Sequence, residues 1–178
     1  MTIYTIYNDE ELLIRPAKKD DAHEVLQLLN IVGGESNNLT YSGNELGFTI
    51  SQEETFIEGH NQCNNSLFIV AVYKDKIIGT LNFAGGNRTR IAHSGMFGMS
   101  VLKEYWGIGV GTCLVDYLLE WAEENGIIKK IELQVKIDNI RAIELYKKMG
   151  FTVEGRLRKS LKINDEYYDT LYMGRLIE

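Results

Sequence analysis

Apolar positions recur along the chain every second residue in some stretches and every third or fourth in others, and the alternation of these two rhythms lays out the elements. Glu11–Arg15 reads as a short strand stopped by Pro16, which lacks the N–H that a strand interior requires. Val25, Leu28, Leu29 and Val32 then share one helical face; Asp20 or Asp21 can cap that helix and Gly33-Gly34 can end it. Residues 35–47 are rich in Asn, Ser and Gly, which predicts a mobile loop. Ser51 followed by Glu54 has the pattern of a capping box and predicts a second, shorter helix over Ser51–Glu58.

Two strand patterns follow, Ser66–Tyr73 and Lys76–Phe83, joined by a turn at Lys74-Asp75. After a turn over Gly85–Arg90, a longer strand is expected from Ile91 to Val101. Val110, Leu114, Val115, Leu118, Trp121 and Ala122 recur at helical spacing and predict a long helix stopped by Gly126. Lys130–Lys136 alternates as a strand, Asn139 can cap a helix reaching Met149, and Gly150 can close it. Phe151–Leu161 and Tyr167–Leu176 form the last strand pair, around a turn at Asn164-Asp165. The order β-α-α-β-β-β-α-β-α-β-β implies an α/β (α+β) fold with a mixed, mostly antiparallel twisted sheet and helices on both faces. Residues 1–10, with Ile3 and Ile6, fit either an added strand or a loose arm.

Composition narrows the classes. A length of 178 residues suits one domain spanning 1–178, and 44% hydrophobic with 25% charged residues excludes a disordered or collagen-like chain. Nineteen basic against 25 acidic residues give a net charge of −6, and the lysine pairs (Lys18-Lys19, Lys129-Lys130, Lys147-Lys148) stand apart, which argues against nucleic acid. Cys63 and Cys113 form no CxxC pair, and without a leader pattern they read as reduced thiols of a cytoplasmic protein. No apolar run is long enough for a membrane span, and His23, His60 and His93 lack metal-site spacing, so neither a membrane nor a metal is expected.

The chemistry concentrates in Gly107-Ile108-Gly109-Val110-Gly111-Thr112, between a strand and a long helix. Glycines let backbone amides approach a ligand closely, and the helix adds its unpaired donors and dipole, so the run suits a phosphate or pyrophosphate; a tightly packed loop is the plain alternative. A P-loop needs a lysine after its last glycine, and none is present. A dinucleotide fingerprint needs a different glycine spacing and an acid about 20 residues on, whereas Asp138 lies too far along and four strand patterns precede the run.

Together with further motifs, the run resembles the pyrophosphate loop of the GNAT superfamily of N-acetyltransferases. Asp138-Asn139-x-Arg141-Ala142-Ile143-x-Leu145-Tyr146, followed by Gly150-Phe151, is similar to that family's second signature. Glu154-Gly155 and Tyr167-x-Asp169-x-x-x-Met173 resemble the branch of ribosomal-protein N-terminal and spermidine acetyltransferases. The match is dense over residues 91–173, with one departure: Trp106 stands where the family has Gln or Arg.

The resemblance implies acetyl-CoA as co-substrate, a primary amine as acceptor and direct attack of the amine on the thioester. It places Met99, Ser100 and Val101 against the acetyl and pantetheine portion, and Trp106, Gly107, Ile108, Gly109, Val110, Gly111 and Thr112 around the pyrophosphate. Asn139 and Ala142 fall on the pantetheine side, where Asn139 is equally a simple helix cap. Tyr146, two helical turns after Asn139, would stand near the sulfur and donate a hydrogen bond to the leaving thiolate; from pattern alone it is a core filler. No base is assigned. Gly95 stands where many members carry a glutamate, and His93, Glu35 and Glu45 are the nearby titratable residues. The alternatives are a non-catalytic acyl-CoA-binding or sensing domain on the same fold and, more distantly, a dinucleotide oxidoreductase. A homodimer through the run Tyr167–Tyr172 is a further expectation.

Overall fold

Lys74 (φ 47°) with Asp75 (φ 62°), and Asn164 (φ 48°) with Asp165 (φ 65°), take left-handed backbone angles. Paired positive angles of this kind close two-residue hairpins whose twist matches the flanking strands. In the computed structural model, which describes residues 1–178, these hairpins join β3 (Ser66–Tyr73) to β4 (Lys76–Gly85) and β7 (Thr152–Ile163) to β8 (Glu166–Leu176). The other strands are β1 (Thr2–Thr5), β2 (Glu11–Pro16), β5 (Ser94–Val101) and β6 (Lys130–Lys136). The eight strands form one sheet in the order β1-β2-β3-β4-β5-β6-β8-β7, antiparallel throughout except between β5 and β6. The expected mixed sheet is present, and the first residues supply an added strand rather than a loose arm.

Four helices cover the sheet: α1 (Ala22–Glu35), α2 (Ile50–Gln62), α3 (Val110–Asn125) and α4 (Ile140–Lys148). Side chains at i and i+1 of a strand point to opposite faces, so ring contacts reveal which helices share a face. Phe83 of β4 packs against Trp121 of α3, and its cross-strand partner Phe97 of β5 packs against Tyr146 of α4. Asn82 points the other way, together with its partner Phe68, whose ring meets Phe56 of α2. α3 and α4 therefore lie on one face, and α2, with α1 packed beside it, on the opposite one. Ile14, Ile69, Leu81, Leu114 and Leu118, all fully buried, belong to the core between them.

Several boundaries differ from the sequence reading. α2 is capped by Thr49, not Ser51: the Thr49 hydroxyl accepts from the Gln52 amide (3.2 Å) while the Gln52 side chain accepts from the Thr49 amide (2.9 Å). Ile91–His93 form a turn rather than the start of β5, because the His93 carbonyl accepts from the amides of Lys129 and Lys130. Gly33 and Gly34 lie inside α1 instead of ending it. A Cβ on Gly33 would come within 2.9 Å of the Ser42 backbone, so this glycine serves the docking of the following loop onto the helix.

One irregularity positions everything below. β5 and β6 pair only through Ser94–Met96 and Lys130–Glu132. Beyond that point β5 stays with β4 and β6 stays with β8, so the sheet forks.

Candidate active site

The fork opens a cleft of about 980 Å³ that is lined from both faces of the sheet, by α4 and the start of α3 on one side and by α1, α2 and the loop between them on the other. Along the fork, the edge of β5 that would have met β6 carries main-chain groups without a strand partner. Phe97 and Met99 point toward α3 and α4, whereas Gly98 and Ser100 point toward α1 and α2. An extended ligand chain lying in the fork would touch both faces.

The glycine loop closes one end. Gly107 (φ 83°) and Gly109 (φ 105°) occupy backbone angles that side-chain-bearing residues avoid. A Cβ at Gly111 would lie 3.3 Å from both Leu145 and Met99, so the first turn of α3 sits tightly against α4 and β5. No side chain caps α3, which leaves its first amides free to meet an anion. Trp106 turns away from that role: its indole N–H donates to the Val101 carbonyl (2.8 Å) and ties the loop to the end of β5. The Arg141 guanidinium lies over the indole, 5.3 Å from the ring centre, and one of its nitrogens is 3.3 Å from where a Gly107 Cβ would stand. A cation thus returns to the loop from α4, at a position the sequence reading did not assign.

Met99, Ser100, Val101, Trp106, Gly107 and Gly109 all line the cleft, as do Val110, Gly111, Thr112, Asn139, Ala142 and Tyr146. Ile108 does not; it is half-buried against the core, and its carbonyl accepts from the Tyr7 amide. Asn139 acts as the cap of α4, its side-chain oxygen accepting from the Ala142 amide (3.3 Å). Tyr146 sits edge-on to Phe97 and Phe151, with ring centres 5.8 and 6.0 Å away. Burial alone pushes its phenol up to about 12. The hydroxyl is held as a neutral donor with no partner inside the chain to compete for it.

The residues considered as bases are placed elsewhere. Glu35 accepts from the Lys103 amide (3.0 Å), Glu45 accepts from the amide and hydroxyl of Ser42 (2.7 and 2.9 Å), and none of Glu35, Glu45 and His93 lines the cleft. At Gly95 a side chain is excluded, since a Cβ would lie 2.3 Å from the Ala84 carbonyl oxygen. On the α2 side the cleft holds a carboxyl that the sequence reading missed, Glu53, 3% exposed and free of hydrogen bonds at Oε1. Its signal in the sequence is a charged residue on the same helical stripe as Ile57 and His60, which are both buried. Tyr41, reaching from the loop between α1 and α2 to within 3.3 Å of the Ser100 hydroxyl, was also not anticipated.

This arrangement can be set beside known proteins. The family model of the acetyltransferase (GNAT) family matches residues 38–151. The chain belongs to this family. Among solved structures, a GNAT-family acetyltransferase from Streptococcus pneumoniae superposes with a TM-score of 0.90 at 32% identity, over 94% of this chain and 99% of that one. Among curated relatives, the L-amino acid N-acetyltransferase AaaT of Escherichia coli is 34% identical over 108 residues, covering 61% of this chain and 67% of that protein. The spermidine N(1)-acetyltransferase of Vibrio cholerae is 25% identical over 166 residues, 93% of this chain and 92% of its own length. A Salmonella typhimurium protein solved with acetyl-CoA shares the GNAT fold at a TM-score of 0.83 and 16% identity, over 94% of each chain. As a GNAT member, the chain is an acetyltransferase; its acceptor is a separate question. No helix of this GNAT chain is long and apolar enough to cross a membrane.

Proposed function

We propose that the chain moves the acetyl group of acetyl-CoA to a primary amine by direct attack, as an N-acetyltransferase. The observation that carries this reading is the unpaired edge of β5, bounded at one end by the amides of the glycine loop and flanked by the Tyr146 phenol.

On this reading the main chain at Met99–Val101 bonds the amide-bearing arm of the coenzyme as an added strand would. The amides from Gly107 to Thr112 and the Arg141 guanidinium receive the diphosphate. Asn139 orients α4 through its cap, and Ala142 keeps the adjoining wall small. Tyr146 offers its hydroxyl to the sulfur as negative charge develops there. With the phenol near 12 and a thiol near 8.5, complete proton transfer runs uphill by roughly 5 kcal/mol, so the phenol contributes a hydrogen bond and solvent finishes the protonation. The free thiols of Cys63 and Cys113 support a reducing, cytoplasmic setting.

Calorimetric titration with acetyl-CoA and with NAD, followed by a free-thiol release assay over a panel of amines and N-terminal peptides, tests the reading. Micromolar binding of acetyl-CoA and amine-dependent thiol release are expected. Binding without release from any amine would favour a sensing role, and binding of NAD alone would defeat the proposal.

A further inference from the structure

Glu53 is a costly residue to keep where it is. An unpaired carboxylate removed from water loses hydration that nothing inside the protein replaces. Neither hydrogen bond nor ion pair holds it: Oε1 is buried without a partner, and burial pushes its pKa upward. His60, on the same stripe of α2, has Nδ1 at 2.9 Å from the Phe56 carbonyl, and its Nε2 is likewise buried without a partner.

The surroundings specify what could complete the site. One turn after Glu53, the exposed Phe56 ring packs 5.9 Å from Phe68; Phe68 pairs across the sheet with Asn82, and Asn82 with Gly98 on the open edge of β5. Glu53 and the open edge of β5 thus line the same cleft. The wall on this face joins apolar side chains (Leu29, Leu39, Phe48, Phe56) with neutral polar ones (Asn38, Thr40, Tyr41, Asn82). The other charged residues lining the cleft are Arg141, Glu144 and Lys148, all on α4 and hence on the opposite face. The α1–α2 face therefore offers one carboxylate and no cation.

We infer that Glu53 is the acceptor-side anchor of the transfer, holding the ammonium form of a primary amine that has an uncharged body and no carboxylate, and taking its proton before attack. The inference rests on the acetyl-CoA reading above. An acceptor with a carboxylate beside its amine would place that charge near Glu53 with no cation to meet it. A polyamine would leave its further ammonium groups on a face with no second carboxylate.

The proton and electron count closes. The acceptor ammonium gives one proton to Glu53, and the freed lone pair forms the bond to the acetyl carbonyl carbon. The carbon–sulfur bond breaks with its electron pair on sulfur; the second proton leaves nitrogen and neutralises the thiolate. Glu53 then releases its proton to solvent, so the net products are the amide, the thiol and one proton.

The test compares wild type and E53Q on 2-phenylethylamine, phenylalanine and spermidine by thiol release, with acetyl-CoA binding measured on both proteins. Wild type is expected to use 2-phenylethylamine with a kcat/KM at least 100-fold above the other two. E53Q is expected to lose at least 100-fold on that amine, to bind acetyl-CoA within twofold of wild type, and to regain rate as the pH approaches the amine's own pKa, where half of the acceptor is already neutral. Phenylalanine or spermidine equalling 2-phenylethylamine, E53Q staying within threefold, or a loss that pH does not relieve would overturn the inference and leave the acetyl-CoA reading intact. Failure of wild type to bind acetyl-CoA would bring down both.

Discussion

The guanidinium of Arg141 rests on the indole of Trp106, 5.3 Å from the ring centre, while the indole N–H is engaged by the Val101 carbonyl. Where other family members put a polar or cationic side chain in the loop itself, this chain uses residue 106 as a platform and supplies the cation from α4. Arg141→Ala is therefore expected to weaken acetyl-CoA binding about tenfold, in line with the loss of one charge-assisted contact. S-acetylpantetheine, which has no diphosphate, should lose little. Equal losses on both thioesters in a kcat/KM comparison would show that Arg141 supports structure and not the anion.

Gly109 is the other support of the loop. At φ 105° a Cβ is strained even though the space around it is open, the nearest atom being 3.7 Å away. Gly109→Ala is expected to cost about 1–3 kcal/mol of stability, seen as a lower Tm, and to weaken acetyl-CoA binding tenfold or more. Binding at wild-type strength would mean that the loop amides are not the anion's donors.

Removing the Tyr146 hydroxyl should separate catalysis from folding. Since that hydroxyl has no partner inside the chain, Tyr146→Phe keeps the ring contacts with Phe97 and Phe151 and should leave Tm and acetyl-CoA affinity nearly unchanged. Turnover should fall tenfold or more. An unchanged kcat at saturating substrates would remove Tyr146 from the mechanism.

Glu53 makes a prediction about stability as well as activity. Burial raises its folded-state pKa above the ordinary 4.5, so ionisation favours the unfolded chain, and the wild type loses stability as pH rises through the folded value. Glu53→Gln should therefore melt a few degrees above wild type at neutral pH, with the gap closing as pH falls through the raised folded value to 4.5. Thermal melts of both proteins across this range check the sign; a variant less stable than wild type at pH 7 would mean that the carboxylate has a partner.

What the sequence discloses about this chain is mostly local. β3 and β6 begin and end at the residues read from their alternation. The glycine loop is readable because close backbone approach demands glycine at fixed positions. Two capping boxes overlap near the start of α2, Thr49 with Gln52 and Ser51 with Glu54, and the sequence offers no means of choosing. Ile91 continues an apolar pattern, yet Gly86 packs so closely on its backbone that the chain turns there. Tyr41 and the perch of Arg141 were missed because each depends on a residue distant in sequence, as Tyr41 does on Ser100, 59 positions away; Glu53 was missed although its place on the stripe with Ile57 and His60 marks it.

Unpaired strand borders are ordinarily a hazard at the rim of a sheet, where a second chain can dock and begin to aggregate. Here one such border lies mid-sheet, at the parting of β5 and β6, sheltered between helices. A ligand lying along that slot would meet peptide groups common to every amino acid, so mutation could reshape both walls while the seat itself endured.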